Sequence, residues 1–212
     1  LKEKVQTNRI GKISRKNMAD SLVVNPHKWL FTPVDLSAFY TRHPAVLKRA
    51  FSLVPEYLVT AEQAEVVNFM DYGVQLGRRF RSLKLWMVMR AFGSEGLRDR
   101  LRGHIALAQE FAAWVAAAPG WVLMAPTPLS AVCFRFAPPD LDADEQDALN
   151  AAIMEAVNAS GEVFLSHTRL RDRFTLRLAI GNIRTERRHI ARAWALLQEA
   201  ANVLLQPTPG EA

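Results

Sequence analysis

Apolar and polar positions along the chain follow two different periods, which predicts a mixture of helices and strands. Apolar residues recur three or four positions apart over 94–118, 145–158 and 185–204, a spacing typical of helices that bury one face. Ser94 and Thr185 are the predicted N-caps of the first and last of these helices. Short apolar runs between turn residues predict strands at 22–25, 38–40, 121–124, 131–136, 162–167 and 173–180. This order predicts an α/β first part and an α+β last part.

Two stretches of the first part are less regular. Residues 55–73 have no clean period, which predicts a loop-rich segment, whereas residues 78–92 predict a largely buried helix with a cationic side. The basic cluster Arg78, Arg79, Arg81 and Lys84 invites a phosphate or nucleic-acid hypothesis, because clustered guanidinium groups bind anions. We favour structural ion pairing, since Arg78 and Arg81 are neighbours on a helix and Arg79 points elsewhere.

The string Asn25-Pro26-His27-Lys28-Trp29 carries the most informative chemistry. Pro26 has no backbone N–H and biases Asn25 toward an extended conformation, so we expect the chain to leave a short buried strand here. Asn25, His27 and Lys28 would then lie at a strand end, where open α/β sheets bind ligands. A desolvated lysine amine loses its proton more easily and attacks carbonyls to form a Schiff base. Taken alone, a lysine such as Lys28 is more often a solvated surface charge than a Schiff-base nucleophile.

The longer string at 20–31, Asp-Ser-Leu-Val-Val-Asn-Pro-His-Lys-Trp-Leu-Phe, changes these odds. It closely resembles the cofactor-lysine segment of the group II pyridoxal-phosphate-dependent amino-acid decarboxylases, the family of the aromatic-L-amino-acid decarboxylases. The resemblance continues through the segments at 35–40, 55–58, 76–84, 132–135 and 177–180. It implies the carboxyl-terminal part of a fold-type I PLP-dependent transferase-like large domain, followed by a small α+β carboxyl-terminal domain.

The resemblance also implies roles for four residues. Lys28 resembles the lysine that binds the aldehyde of pyridoxal 5′-phosphate (PLP), and Asn25 and His27 resemble contacts to its phosphate. Tyr57 matches the tyrosine that donates the proton to the substrate's α carbon, and a tyrosine here favours plain decarboxylation over aldehyde synthesis. Without the resemblance, Tyr57 reads as a partly buried aromatic residue. The implied reaction removes the carboxylate of an aromatic or similar L-amino acid, because the cofactor ring accepts the electron pair that is released.

Part of the cofactor site is missing from the resemblance. In this family the aspartate that pairs with the pyridine nitrogen lies upstream of the lysine, as does most of the phosphate site, and only nineteen residues precede Asp20. We therefore expect a carboxyl-terminal part with four regions. These are an unmatched, disordered basic head at 1–19, a remnant of the PLP-binding large domain at 20–118, the small domain at 119–205 and a tail at 206–212.

Composition and charge exclude several classes of protein. The net charge is +6, of which residues 1–19 carry +5, so the remainder is nearly neutral and indicates no nucleic-acid partner. No apolar stretch reaches the roughly 20 residues that cross a bilayer, so we expect no membrane partner. The one cysteine, Cys133, lies in an apolar run and is predicted to be a buried core residue without a disulfide. A single cysteine without a disulfide leads us to expect a cytoplasmic protein. We expect no metal site, because the histidines lack metal-like spacing.

Two classes of function remain open at this point. The first is a PLP-dependent carboxy-lyase that acts on an amino acid as a homodimer, as the resemblance implies. The second is a truncated, non-catalytic remnant, or an inactive subunit that pairs with a full-length relative. The absence of the upstream half of the cofactor site keeps the second class open.

Overall fold

The structure is a computed structural model that describes residues 20–52 and 66–206. Its contacts divide the chain into two compact units that meet between Gly93 and Ser94. The domain division predicted from the sequence, with boundaries after 19, 118 and 205, stays a prediction. Within the described ranges, no helix is long and apolar enough to cross a membrane.

The first unit contains a two-stranded antiparallel ribbon and short helices. Strand β1 (Ser21–Val24) pairs with β2 (Ala38–Thr41), so that Val23 lies opposite Phe39. Helices α1 (Pro26–Trp29) and α2 (Pro44–Phe51) both begin with a proline, which suits the first helical position because its missing N–H has no partner there. A 3₁₀ turn (Phe69–Tyr72) follows.

The ribbon corrects one prediction from the sequence. Strand β1 was predicted to be buried, but its side chains are exposed, and Leu22, Val23 and Val24 retain 43–49% of their accessible surface. The physical reason is that β1 pairs only with β2 among the described residues, and an isolated two-stranded ribbon cannot cover both of its own faces. Both faces of the ribbon are nevertheless apolar, a pattern typical of strands that are buried on both sides.

Helix α3 (Ser82–Ala117) crosses the junction of the two units, and its backbone is non-helical at Gly93 (φ 65°, ψ 174°). Glycine adopts this positive φ without a steric penalty, and the break lies where the sequence predicts one helix to end and another to begin. The part before Gly93 was predicted to be largely buried. This prediction is wrong for Trp86, Met87 and Met89, which are more than half exposed, because the first unit offers them too few apolar neighbours.

The second unit has a four-stranded antiparallel sheet with helices packed against it. The strands are β3 (Trp121–Leu123), β4 (Ala131–Phe136), β5 (Ser166–Leu170) and β6 (Arg173–Ala179), in the spatial order β3-β4-β6-β5. Helices α4 (Ala143–Ala159) and α5 (Arg187–Leu205) complete the unit. The core holds large buried side chains from every layer, including Phe111, Val115, Val132, Phe134, Ile153, Val157, Leu176, Ile190 and Leu197.

Three details of the second unit differ from the sequence predictions. Strand β5 begins at Ser166 rather than at 162, because the Asn158 side chain binds the backbone N–H and C=O of Leu165. Helix α5 is capped by Glu186 instead of Thr185, because the backbone N–H of Glu186 donates to His189 Nδ1. Cys133 is half-buried instead of lying in the core, since alternation along β4 directs its neighbours Val132 and Phe134 inward.

Two buried polar contacts join helix α4 to strand β4. The Asn150 side chain is fully buried, accepts from the backbone N–H of Phe136 at 2.8 Å and donates to its carbonyl at 2.7 Å. Beside it, Arg135 is nearly buried, and its Nη2 lies 2.9 Å from Asp147 Oδ1. A buried polar group that loses its partner pays its full desolvation cost, so these contacts fix the position of α4 on the sheet.

We predict that Asn150→Ala lowers the free energy of unfolding by about 3 kcal/mol, because it leaves both backbone groups of Phe136 buried without a partner. The measurement is urea unfolding followed by the fluorescence of the second unit, in which Trp121 is buried. Asn202→Ala is the matched control, since Asn202 is exposed on α5, and it should change stability by less than about 0.5 kcal/mol. Equal effects of the two substitutions would contradict this account.

His104 makes the stability of the second unit depend on pH. Burial lowers the pKa of its imidazole below the ordinary 6.5, nearby Arg100 lowers it further, and a hydrogen bond with the Asn182 backbone opposes both. The folded state therefore binds a proton less readily than the unfolded state. The contribution of His104 to stability is complete above about pH 6.5 and is lost as the pH falls from there through the lower folded pKa.

We accordingly predict that the stability difference between the wild type and His104→Gln narrows as the pH falls from about 8 to about 5, the range in which histidine titrates. Thermal unfolding at a series of pH values measures this difference. A difference that stays constant over this range would show that His104 is protonated equally in the folded and unfolded chains.

Candidate active site

The predicted cofactor lysine lies where the sequence places it, just beyond the end of a strand. Strand β1 ends at Val24, and Pro26 is the first residue of the one-turn helix α1. The backbone N–H of Lys28 donates to the Asn25 carbonyl at 3.0 Å, and that of Leu30 donates to the Pro26 carbonyl at 3.0 Å. Lys28 is thus held on a short, closed turn whose first residue, Pro26, is buried.

The surroundings of Lys28 differ from the partly desolvated pocket that the sequence led us to expect. Lys28 is exposed, whereas Asn25 and His27 on either side of Pro26 are half-buried. The described residues of the first unit therefore provide a rigid backbone beneath the amine but no walls that exclude water from it. The role of Lys28 as the cofactor lysine stays a prediction.

Asn25 and His27 are both fixed by the segment that leads into β2. Ser37 Oγ donates to Asn25 Oδ1 at 2.5 Å, and the backbone N–H of Leu36 donates to His27 Nδ1 at 3.2 Å. The same ring nitrogen also contacts the Leu36 carbonyl oxygen. The Ser37 hydroxyl occupies the acceptor oxygen of Asn25 and leaves its amide NH₂ as a donor. His27 Nδ1 is engaged by Leu36, and the other ring nitrogen, Nε2, carries the hydrogen in the tautomer in which Nδ1 accepts from the Leu36 N–H. Such donors suit a phosphate group.

These residues fit two ends of PLP but leave one end without a partner. The Lys28 amine suits the aldehyde, and the two donors suit the phosphate. The pyridine nitrogen needs a carboxylate, and each described carboxylate of the first unit already has a basic side chain as its neighbour. Asp20 lies 3.7 Å from His43, Asp71 is buried 3.5 Å from Lys48, and Asp35 pairs with Arg81.

Three residues of the basic cluster, Arg78, Arg81 and Lys84, make contacts within the first unit, in agreement with the structural ion pairing that we favoured. Arg81 Nε and Nη2 each lie 3.0 Å from Asp35 Oδ2, with Lys84 Nζ 3.8 Å from Asp35 Oδ1. Arg78 donates to the Phe69 carbonyl at 2.9 Å. The hydrogen bond and charge of Arg81 hold the pKa of Asp35 below its usual range. The prediction that Arg78 and Arg81 share a helix is wrong, since α3 begins at Ser82.

Tyr57, the predicted proton donor, lies outside the described residues. Three histidines of the second unit have structural surroundings: His104 is buried, His189 accepts from the backbone N–H of the cap residue Glu186, and His167 stacks on Phe174 with ring centroids 4.6 Å apart. Across residues 20–52 and 66–206, no group of His, Cys, Asp and Glu side chains has the arrangement of a metal site.

A cavity of about 300 Å³ lies in the second unit, between the end of β6 and the start of α5. Three of its polar side chains already bond within the chain. Glu162 accepts two hydrogen bonds from Arg192, His189 accepts from the Glu186 backbone, and the Asn182 side chain accepts from the Arg184 backbone. None of Asn25, His27 and Lys28 lines this cavity, so it is not the predicted cofactor site.

Comparison with known proteins decides the family. A family model described as the pyridoxal-dependent decarboxylase conserved domain matches residues 6–137, more than half of the chain. The chain belongs to the pyridoxal-dependent decarboxylase family. The family resemblance noted in the sequence is thereby confirmed, although the match begins within the segment 1–19 that the resemblance left unmatched.

Curated relatives of this decarboxylase-family chain match nearly all of it, but the match covers only part of their own length. It is 40% identical over 194 residues to tyrosine decarboxylase 2 of Narcissus pseudonarcissus, which covers 91% of this chain and 39% of the relative. It is 43% identical over 189 residues to phenylacetaldehyde synthase of Arabidopsis thaliana, covering 88% of this chain and 39% of that relative. The chain thus spans about two-fifths of the length of these relatives.

Solved structures show the same fold and the same limited coverage. A crystal structure of Oryza sativa TDC with PLP and tryptamine superimposes with a TM-score of 0.83 at 33% identity, covering 89% of this chain and 40% of that one. Rhodiola rosea 4-hydroxyphenylacetaldehyde synthase gives a TM-score of 0.78 at 31% identity and covers 89% and 38%. The predicted fold class is confirmed: the chain has part of the fold-type I architecture of PLP-dependent decarboxylases.

Sequence reasoning missed three residues that shape the candidate site. Asp35, Leu36 and Ser37 carried the family resemblance, but no role for them was predicted. Their contacts with Arg81, His27 and Asn25 join positions 9 to 46 residues apart. Hydrophobic periodicity does not detect such pairs, and the only available signal was the turn-forming Pro33 followed by the polar residues Asp35 and Ser37.

Proposed function

We propose that this chain contributes the cofactor lysine to a PLP-dependent decarboxylase that converts an aromatic L-amino acid to its amine and carbon dioxide. The observation that carries the proposal is the placement of Lys28 on a closed turn at a strand end, directly after Asn25 and His27, whose side chains are both held by hydrogen bonds. The names of the relatives, which include tyrosine and tryptophan decarboxylases, support an aromatic substrate.

The site requires protein beyond the described residues to become functional. Lys28 is exposed, no carboxylate of the described first-unit residues is left for the pyridine nitrogen, and β1 and β2 present half-exposed apolar side chains on both faces. Burying such side chains stabilises an assembly by about 25 cal/mol per Å². We infer that the remaining part of the relatives' length, in the same polypeptide or in a partner chain, packs on this ribbon and encloses Lys28.

The chain's own residues then have distinct tasks. Lys28 would hold the cofactor by its aldehyde, and Asn25 and His27 would bind its phosphate. Bound PLP supplies an electron-accepting ring for the pair released with carbon dioxide. We propose that Tyr57 donates a proton to the substrate's α carbon, a step that general acids accelerate by about 10²–10⁴-fold. A homodimer and a cytoplasmic setting stay predictions.

The alternative is a non-catalytic chain that folds without a working cofactor site. The contacts of Asp20, Asp35 and Asp71 with basic side chains favour it, since none of these three described carboxylates is left for the pyridine nitrogen. The two hypotheses differ in whether adding the missing part of a relative restores cofactor binding at Lys28.

We predict that the purified chain alone reacts weakly with PLP. Its co-expression with the part of the Narcissus tyrosine decarboxylase outside the match should restore PLP attachment at Lys28 and amine release from tyrosine or tryptophan. Borohydride reduction followed by peptide mass spectrometry locates the attachment, and chromatography measures the amine. Lys28→Arg keeps the charge but cannot form the bond, so amine release should fall by about 10²-fold or more. Labelling spread over other lysines would contradict the proposal.

In the restored protein, we predict that Tyr57→Phe leaves PLP attachment intact but lowers amine release by about 10²-fold, because the proton donor is lost. Tyr72→Phe is the matched control, as Tyr72 is a tyrosine of the first unit that lies in the 3₁₀ turn. Amine release is measured by chromatography for both variants. If Tyr57→Phe and Tyr72→Phe release amine at equal rates, Tyr57 is not the donor.

A further inference from the structure

Residues 35–37, here called the bracing segment, contact both candidate phosphate donors. The Leu36 backbone N–H bonds to the imidazole of His27, and the Ser37 hydroxyl bonds to the side chain of Asn25. Asn25 and His27 flank Pro26, so the segment holds the lysine turn on both sides of its first residue. Neither contact is local, since the partners are 9 and 12 positions apart.

The bracing segment is itself anchored at its first residue. Two nitrogens of the Arg81 guanidinium lie 3.0 Å from one carboxylate oxygen of Asp35. Arg81 Nε donates a hydrogen bond to this oxygen and Nη2 adds a second charged contact, so the guanidinium holds the position of the carboxylate through two of its nitrogens. Lys84 adds only a single, longer contact at 3.8 Å. Arg81 therefore sets where residue 35 lies relative to the start of helix α3.

We propose that Arg81 is a positioning residue that acts through Asp35 and the bracing segment to aim the Asn25 and His27 donors at the cofactor phosphate. The inference rests on the proposed function, which assigns those donors to the phosphate. Arg81 acts on the two donors indirectly. Its effect passes through the ion pair with Asp35, and from there through the Leu36 peptide group to His27 and the Ser37 hydroxyl to Asn25.

The exposure of the segment explains why an anchor is needed. Leu36 is 6% exposed and holds the middle of the segment by apolar burial, but Asp35 and Ser37 on either side are exposed. Apolar packing is non-directional, so it does not fix the rotation of the peptide groups that meet His27. The directional hydrogen bond from Arg81 to Asp35 fixes this rotation.

The decisive experiment compares PLP with pyridoxal, which has the same aldehyde but no phosphate. Attachment to Lys28 in the restored protein is timed for the wild type, Asp35→Asn and Arg81→Lys. Asp35→Asn keeps the shape of the side chain, and Arg81→Lys keeps the charge but replaces the guanidinium by a single nitrogen. We expect both to slow PLP attachment by about two- to fivefold, the range that a partly exposed ion pair supports, and to leave pyridoxal attachment unchanged.

A charge-swap pair adds a rescue test. Asp35→Arg and Arg81→Asp should each slow PLP attachment, and the double variant should recover most of the rate because the ion pair is rebuilt. The control is the same swap of Glu95 and Arg98, an exposed ion pair of the second unit, which should change neither rate. Equal slowing of PLP and pyridoxal, or no slowing of either, would overturn the proposal.

Failure of this inference can be told from failure of the proposed function by a measurement that needs no cofactor. The ¹⁵N shifts of His27 in the chain alone report whether Nδ1 accepts a hydrogen bond, and we expect Asp35→Asn to shift them toward those of a free imidazole. Unchanged His27 shifts would refute the bracing role even if the wild type never binds PLP. Absent labelling of Lys28 with shifted His27 signals would refute only the proposed function.

Discussion

Pro26 cannot donate a hydrogen bond to a strand ladder, and the candidate site depends on this constraint. Because β1 must end before it, the next residues close a single helical turn in which Lys28 is held by backbone hydrogen bonds. Asn25 and His27 then lie on either side of the proline, within reach of the loop that returns to β2. One residue without an N–H thus brings an amine and two hydrogen-bond donors together.

The two units of the chain differ in how fully each one buries its own apolar residues. The second unit has a continuous core in which Phe111, Phe134 and Leu197 are completely buried, and its helices are joined to the sheet by buried polar contacts. The first unit leaves Val23, Phe39 and Trp86 about half exposed. This difference agrees with the extent of the match, which spans about two-fifths of the relatives' length. A ribbon that is apolar on both faces belongs inside a larger sheet.

The elements that the sequence predicted well are those that local chemistry determines. Strand β1 ends where Pro26 requires it, and β4 was predicted from a continuous apolar run. The start of β5 and the cap of α5 were missed because side chains of Asn158 and His189 take over backbone partners. The exposure of β1 was missed because burial depends on neighbours that local sequence does not reveal. The pairing of Asp35 with Arg81 spans 46 residues, which no local pattern encodes.

In our proposal, Lys28 is the amine through which this family member holds PLP. A crystal structure of the chain, completed by the missing part of a relative and grown with PLP, tests it most directly. We expect continuous electron density between Lys28 Nζ and the aldehyde carbon, with the phosphate beside Asn25 and His27. PLP bound elsewhere, or bound near the turn with the Lys28 amine still directed into solvent, would contradict it.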